Sequence, residues 1–241
     1  MDNRVGLLQQ FDGLRRQVDQ SGMMNAVDRF NQQAVGILTS GKFAEAMDLD
    51  KENPKVLARY TPRHKEQGKR GTTADGYNAS RKLLLARRLI EAGVRVVSVT
   101  FSDFDTHSSN FDRMRHLVPV VDHALATLVA DLGERGMLDD VLIVAWGEFG
   151  RTPKVNAKAG RDHWPRVSPG LMAGGGIRTG QVIGATDKVA GEAIERPVHY
   201  QDVMATMYEH LRLKPRATTV IDTTGRPQYL CDTGRPIREL F

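Results

Sequence analysis

At 241 residues, 40% of them hydrophobic and 26% charged, the chain is long enough to bury a sizeable core and has the composition of a globular protein. No apolar run approaches the roughly 18 residues of a membrane span, no secretory pattern opens the chain, and one cysteine, Cys231, excludes an internal disulfide and a cysteine-built zinc site. The net charge of +5 raises nucleic acid as a partner, but the basic residues are scattered among acids, and the densest cluster (Arg63-His64-Lys65 with Lys69-Arg70) lies in a Gly-rich stretch without interleaved aromatics; it reads as a solvated loop and not as a nucleic-acid surface.

Taken in order, the first sixty residues are helical. Val5, Leu7, Leu8, Phe11, Leu14 and Val18, then Met23, Val27, Phe30, Ala34, Ile37 and Leu38, fall at helical spacing. Gly41 fits a C-cap, a short helix follows through Phe43 and Met47, and another fragment runs from Pro54 to Tyr60. Residues 61–78 are polar, charged and Gly-rich, which predicts a loop closing an all-helical appendage at 1–78.

From residue 79 to 241 helix and strand signals alternate. Ser80 to Ala92 predicts a helix ended by Gly93, and Val94–Phe101 (VRVVSVTF) has the β-branched content of a strand buried in a parallel sheet. Phe111, Met114, Val118, Val121, Leu125, Leu128 and Leu132 make the apolar stripe of a long helix, with Pro119 a kink and Gly136 its cap. Val141–Trp146 (VLIVAW) is a second strand. Strand, helix and strand with that crossover predict a right-handed βαβ unit in an α/β domain. Gly170–Ala173 and Gln181–Ile183 are shorter strand candidates, Gly174–Gly176 a turn, His199–Leu211 a helix, and the tail an irregular strap.

Ligands of open α/β sheets gather beyond the carboxyl ends of the strands, and the polar clusters lie there. Asp103, Asp105 and His107 follow the first strand, Glu148 follows the second, and Gly160-Arg161-Asp162-His163-Trp164-Pro165 occupies a loop long enough to fold back over both. In extended backbone, residues two apart point the same way, so Asp105 and His107 can converge on one ion. Imidazole and carboxylate without thiolate suit Zn²⁺ first and Mn²⁺, Mg²⁺ or Ca²⁺ as alternatives. The candidate ligands are therefore Asp105, His107, Glu148, Asp162 and His163. Arg151 and Arg161 are candidate clamps for the oxygens of an anionic ester. Each residue also has a purely structural use: Glu148 can brace the GEFG turn, Asp162-His163 can tie a loop, and the two arginines can pair with nearby acids. His116 and His123 fall off the apolar stripe and are expected to face solvent. His199 reads as a helix-start residue and His210 as a last-turn residue near the negative end of the helix dipole.

Five stretches in order, RKLLLARRLIEAGVRVVSVTFSDFDTHSSNF, LIVAWGEFGRTPKVN, GRDHWPRV, MAGGGIRTGQVIG and RPVHYQDV, resemble the DUF1501 family, abundant in planctomycetes. That family in turn resembles the alkaline phosphatase and sulfatase superfamily. The resemblance implies a three-layer αβα sandwich, here incomplete, and metal-dependent hydrolysis of phosphate or sulfate esters, with a non-catalytic metal-containing binder of anionic glycans or of a protein partner as the alternative. It carries Asp105 and His107 onto the Asp and His after one core strand, Glu148 onto the acidic position after the next, and His163 onto the last metal-binding His. Two positions depart from the pattern: the Asp105–His107 spacing is shorter than usual, and Phe149 stands where a His commonly follows Glu148. The resemblance also implies an upstream half with a GGPSxxDTxD-like motif and an export signal at the full-length start. The chain is accordingly expected to be the C-terminal half of a protein exported to the periplasm or beyond. Alone it is expected to be inactive, and either to self-associate or to pair with its missing half.

Overall fold

The computed structural model describes residues 31–32, 35–36, 41–61 and 79–241. The helices expected before residue 39 are represented by helical backbone at 31–32 and 35–36, and the rest of them lies outside the described residues, as does the expected basic loop beyond Thr61. Five α-helices are described: α1 (Gly41–Met47), α2 (Pro54–Arg59), α3 (Arg81–Glu91), α4 (Asn110–Glu134) and α5 (Tyr200–His210). Eight short strands accompany them: β1 (Leu142–Trp146), β2 (Gly150–Arg151), β3 (His163–Trp164), β4 (Gly170–Gly174), β5 (Ala185–Thr186), β6 (Ala193–Glu195), β7 (Thr219–Ile221) and β8 (Pro227–Tyr229). The chain separates into two compact units, one of residues 1–58 and 82–99, the other of residues 59–81 and 100–241.

In the first unit, local capping explains where the short helices start. Asp48 accepts from the Asp50 amide at 3.2 Å to open a 3-10 turn at Leu49–Lys51, and Asn53 accepts from the Lys55 amide at 2.9 Å ahead of Pro54, which needs no donor at a first helical position. Helix α3 buries Leu83 and Leu84 and ends at Gly93, whose φ of +100° suits a residue without a Cβ. Its buried Arg87 donates to Glu52 at 2.6 Å and to Glu91 at 2.6 Å. Arg88 donates to the same Glu52 oxygen at 2.9 Å and to the carbonyls of Ala46, Glu45 and Asp48. Two guanidiniums thus share one buried carboxylate, and one of them closes the carbonyl end of α1.

The second unit is built on α4. Its buried positions are Asn110, Leu117, Val120, Ala124, Leu128, Asp131 and Leu132, while Phe111 and Val118 of the predicted stripe are half exposed. The face turned inward is rotated from the predicted one because the helix carries apolar residues around much of its girth, and Ala124 with Asp131 marks the side that packs. Asp131 accepts from the Tyr60 hydroxyl at 3.0 Å and from Arg135 Nε at 3.0 Å, and His123, expected in solvent, donates from Nε2 to the Arg59 carbonyl at 2.8 Å. A smaller core joins Ile177, Ile237 and Leu240 with Leu142, Met172, Ile183, Val198 and Val203.

The parallel βαβ unit is not what the described residues form. Residues 94–101 carry no regular secondary structure and enter no ladder, and Val96 is 62% exposed. Strand β1 instead takes β4 as an antiparallel neighbour, with Leu142 opposite Gly174 and Trp146 opposite Gly170. A doubly buried parallel strand needs partners on both edges and helices on both faces, and the described residues supply neither for 94–101. Among the described residues there are four sheets, all two-stranded and antiparallel, a mixed α/β architecture in which these residues do not form the expected alkaline phosphatase-like sandwich. The strand expected at Gly170–Ala173 forms as β4, one residue longer, whereas none forms at Gln181–Ile183, and β5 begins beyond it at Ala185. Three consecutive glycines with φ between +63° and +71° turn the chain after β4. No helix among the described residues is long and apolar enough to cross a membrane.

Replacing Glu52 by Ala leaves Arg87 buried without its main partner and is expected to cost about 3–5 kcal/mol in urea unfolding. Burial pushes the Glu52 carboxyl up, but the Arg88, Asn53 amide and Arg87 hydrogen bonds outweigh it and leave its pKa below the ordinary value. Its contribution is therefore complete above the usual carboxylate range and is lost as pH falls through the folded-state value. Unfolding midpoints of wild type and Glu52→Ala should converge on acidification.

Candidate metal centre

The loop after residue 101 and the loop 152–163 are laced together by backbone hydrogen bonds. Arg161 N donates to Thr106 O at 3.0 Å, Asn110 N to Ala159 O at 2.8 Å and Ser109 N to Lys158 O at 3.1 Å. Thr106, fully buried, donates from its hydroxyl to Asn110 Oδ1 at 2.5 Å. Asn156 ties the turn from inside, accepting from the Lys158 and Gly160 amides at 2.9 Å each and donating to His107 O at 3.1 Å and Asp162 Oδ1 at 3.2 Å. Gly160 is required by this contact: a Cβ there would lie 2.0 Å from the His107 carbonyl carbon and 2.4 Å from Ser108 N. The short β2–β3 ladder then places Arg151 opposite His163.

These constraints bring Asp105, His107 and His163 together, all three solvent-exposed. His163 Nε2 is 2.9 Å from Asp105 Oδ1, His107 Nε2 is 3.1 Å from the same oxygen, and the two Nε2 atoms are 3.2 Å apart. An ion about 2.0–2.1 Å from each ligand requires them about 3.0 Å apart at right angles and about 3.4 Å apart in a tetrahedron. Two of the observed distances, 3.1 and 3.2 Å, fall in that interval and the third, 2.9 Å, just below it, and the two that involve His163 are hydrogen bonds. Asp162 sits behind the triangle, with its Oδ1 2.8 Å from His107 Nδ1. A carboxylate accepting at Nδ1 fixes the tautomer that presents the Nε2 lone pair. The Phe149 ring lies 4.1 Å from that of His163, and the His107 and His163 rings are 4.8 Å apart.

Hydrogen bonds from His163 and then Arg151 hold the Asp105 carboxyl down to about 2, so it stays ionised at neutral pH. The His107 hydrogen bond likewise lowers Asp162. Arg151 donates to Asp105 Oδ1 at 2.5 Å and to Arg161 O at 3.3 Å. Arg161 is turned elsewhere, donating to the Thr152 and Pro153 carbonyls at 2.6 Å with its guanidinium carbon 5.7 Å from the Phe111 ring centre. Of the seven residues singled out in the sequence, Asp105, His107, His163, Asp162 and Arg151 thus meet, Arg161 braces the loop, and Glu148 is exposed and outside the triad. Gly160 belongs to the third cluster read from the sequence, but its contact with His107 and the bracing by Asn156 are not marked there, because both depend on which loop lies against His107.

Over residues 1–241 the chain matches the family model described as "Protein of unknown function (DUF1501)", and it belongs to that family. No curated protein and no solved structure matches it.

Gly160→Ala is expected to push the His107 segment away from the 156–161 turn, lowering stability by about 1–3 kcal/mol and separating the two imidazoles. Histidine side-chain NMR would register the loss of the His107–Asp162 bond, while the analogous Gly180→Ala, where no atom lies within 4 Å, should leave those signals in place.

Proposed function

We propose that Asp105, His107 and His163 hold a divalent ion, Zn²⁺ first by the nature of the donors, and that this centre serves hydrolysis of a phosphate or sulfate ester. The observation that carries the reading is the convergence of two imidazole Nε2 atoms and one ionised carboxylate oxygen within 3.2 Å, with a second carboxylate on His107 Nδ1. A bound divalent ion would supply Lewis-acid polarisation of the ester oxygen and a more acidic bound water. The chain's own residues do the rest. Asp162 orients His107, Phe149 packs against His163 to limit its ring's freedom, and Arg151 is positioned beside Asp105 to pair with non-bridging ester oxygens by bidentate hydrogen bonds. Glu148 lies one residue before Phe149 and is the acid nearest in sequence to this wall, available as a further ligand or as a base. Membership of the DUF1501 family is compatible with this reading and adds no activity to it.

Zn²⁺, Mn²⁺, Mg²⁺ and Ca²⁺ should be titrated separately by calorimetry and by thermal midpoint. Wild type is expected to bind one of them and gain stability by mass action. His107→Ala with His163→Ala should abolish that gain, and Asp162→Asn should weaken affinity about 10–100-fold as a partner behind the ligand. Because the imidazoles must be neutral to coordinate, affinity should fall on acidification, with protons released on binding. A metal-free preparation whose midpoint ignores all four ions sinks the proposal. Binding without turnover of aryl phosphates or aryl sulfates retains the centre and assigns it to recognition of an anionic glycan or a protein partner.

A further inference from the structure

Away from the metal centre, the second unit has an open surface pocket of about 400 Å³ lined by Arg196, Asp202, Arg235, Pro236, Arg238 and Glu239. Three guanidiniums and two carboxylates meet there, and their hydrogen bonds decide which charges remain available. Glu239 is taken up by Arg196, which donates to it from Nε at 2.5 Å and from Nη2 at 2.9 Å. Asp202 is taken up by main-chain donors, accepting from Arg235 N at 2.9 Å and His199 N at 3.0 Å. Neither acid therefore neutralises the side chains of Arg235 and Arg238, which have no hydrogen-bond or ion-pair partner among the described residues. The pocket wall keeps an excess of positive charge.

The segment that displays these two arginines is held firmly. Its start is fixed by the Arg235 amide on Asp202, Pro236 restricts the next φ, and Ile237 donates from its amide to Thr206 Oγ1 at 3.0 Å. Ile237 and Leu240 are 4% and 5% exposed in the smaller core, and a 3-10 turn at Arg238–Leu240 links them. Gly234 permits the approach to α5, since a Cβ there would lie 2.0 Å from Gln201 O. Anchored backbone on both sides of each arginine reduces the ordering cost of using their guanidinium forks together.

We propose that this pocket binds a tetrahedral oxyanion, a phosphate or sulfate group, clasped by Arg235 and Arg238 with the Arg196–Glu239 pair as its fixed wall. Guanidinium pairs match such oxygens bidentately. The site is independent of the metal centre and does not depend on the hydrolase reading. The group can arrive as a free ion or on a phospholipid head, and the recognition chemistry is the same for both.

Calorimetric titration of the whole chain with inorganic phosphate and with inorganic sulfate, against chloride at equal ionic strength, tests it. Co-sedimentation with phosphatidic acid vesicles and with phosphatidylcholine vesicles forms the second arm. Wild type is expected to bind in at least one arm, and Arg235→Gln with Arg238→Gln to weaken that binding at least tenfold at an unchanged thermal midpoint. His107→Ala with His163→Ala should bind as wild type does, which separates this site from the metal centre. Binding of the free ions identifies a soluble oxyanion ligand, whereas binding confined to phosphatidic acid identifies a head group. No binding in either arm, or binding indifferent to the two glutamines, overturns the proposal.

Discussion

The candidate centre depends on one backbone contact, the passage of Gly160 across the carbonyl of His107. Asp105, His107 and Asp162 come from loops and His163 from the two-residue strand β3, and loops and so short a ladder alone do not fix imidazoles to within a few tenths of an ångström. What fixes them is that the two loops share a ladder of amide–carbonyl bonds on either side of that crossing, from Thr106–Arg161 to Asn110–Ala159. Asn156 completes it by satisfying four backbone and side-chain groups at once. The glycine is thus a packing requirement more than a conformational one, since only the absence of a side chain lets the strands of the lace come so close.

Much of the local structure was legible from pattern. The long helix, its closing Gly136, β1, β4, the triple-glycine turn and α5 to within one residue at each end all follow from periodicity and caps, which are properties of neighbouring residues. The sheet was not legible in the same way. VRVVSVTF has the composition of a buried strand, yet composition records only that a segment tolerates a ladder, and the partner must come from elsewhere in the chain. Val141–Trp146 met the same test and found β4. The rotated face of α4 has a related cause: a helix apolar on several sides leaves its inward direction to be set by what it meets, here Tyr60 and the Arg59 carbonyl.

The site was legible in its chemistry and not in its roles. Residue type and the two-residue spacing identified Asp105 and His107, and the Asp162-His163 pair was visible as a third cluster. Spacing could not show which imidazole nitrogen each carboxylate meets: Asp105 lies at the Nε2 side of His107 and Asp162 at its Nδ1. Nor could it separate the two arginines, one turned toward Asp105 and the other spent on loop carbonyls.

The two-rung β2–β3 ladder has a further consequence. Arg151 and His163 face one another across it, and Gly150 faces Trp164, whose indole N–H is held by the Gly191 carbonyl at 2.8 Å. Side chains in a strand alternate faces, so a slip of one residue would exchange the positions of His163 and Trp164 and point the imidazole away from Asp105. With so few rungs, the tryptophan's grip on the β5–β6 turn acts as a pawl on the register. A hairpin remote from the chemistry thereby sets the phase in which the histidine is read.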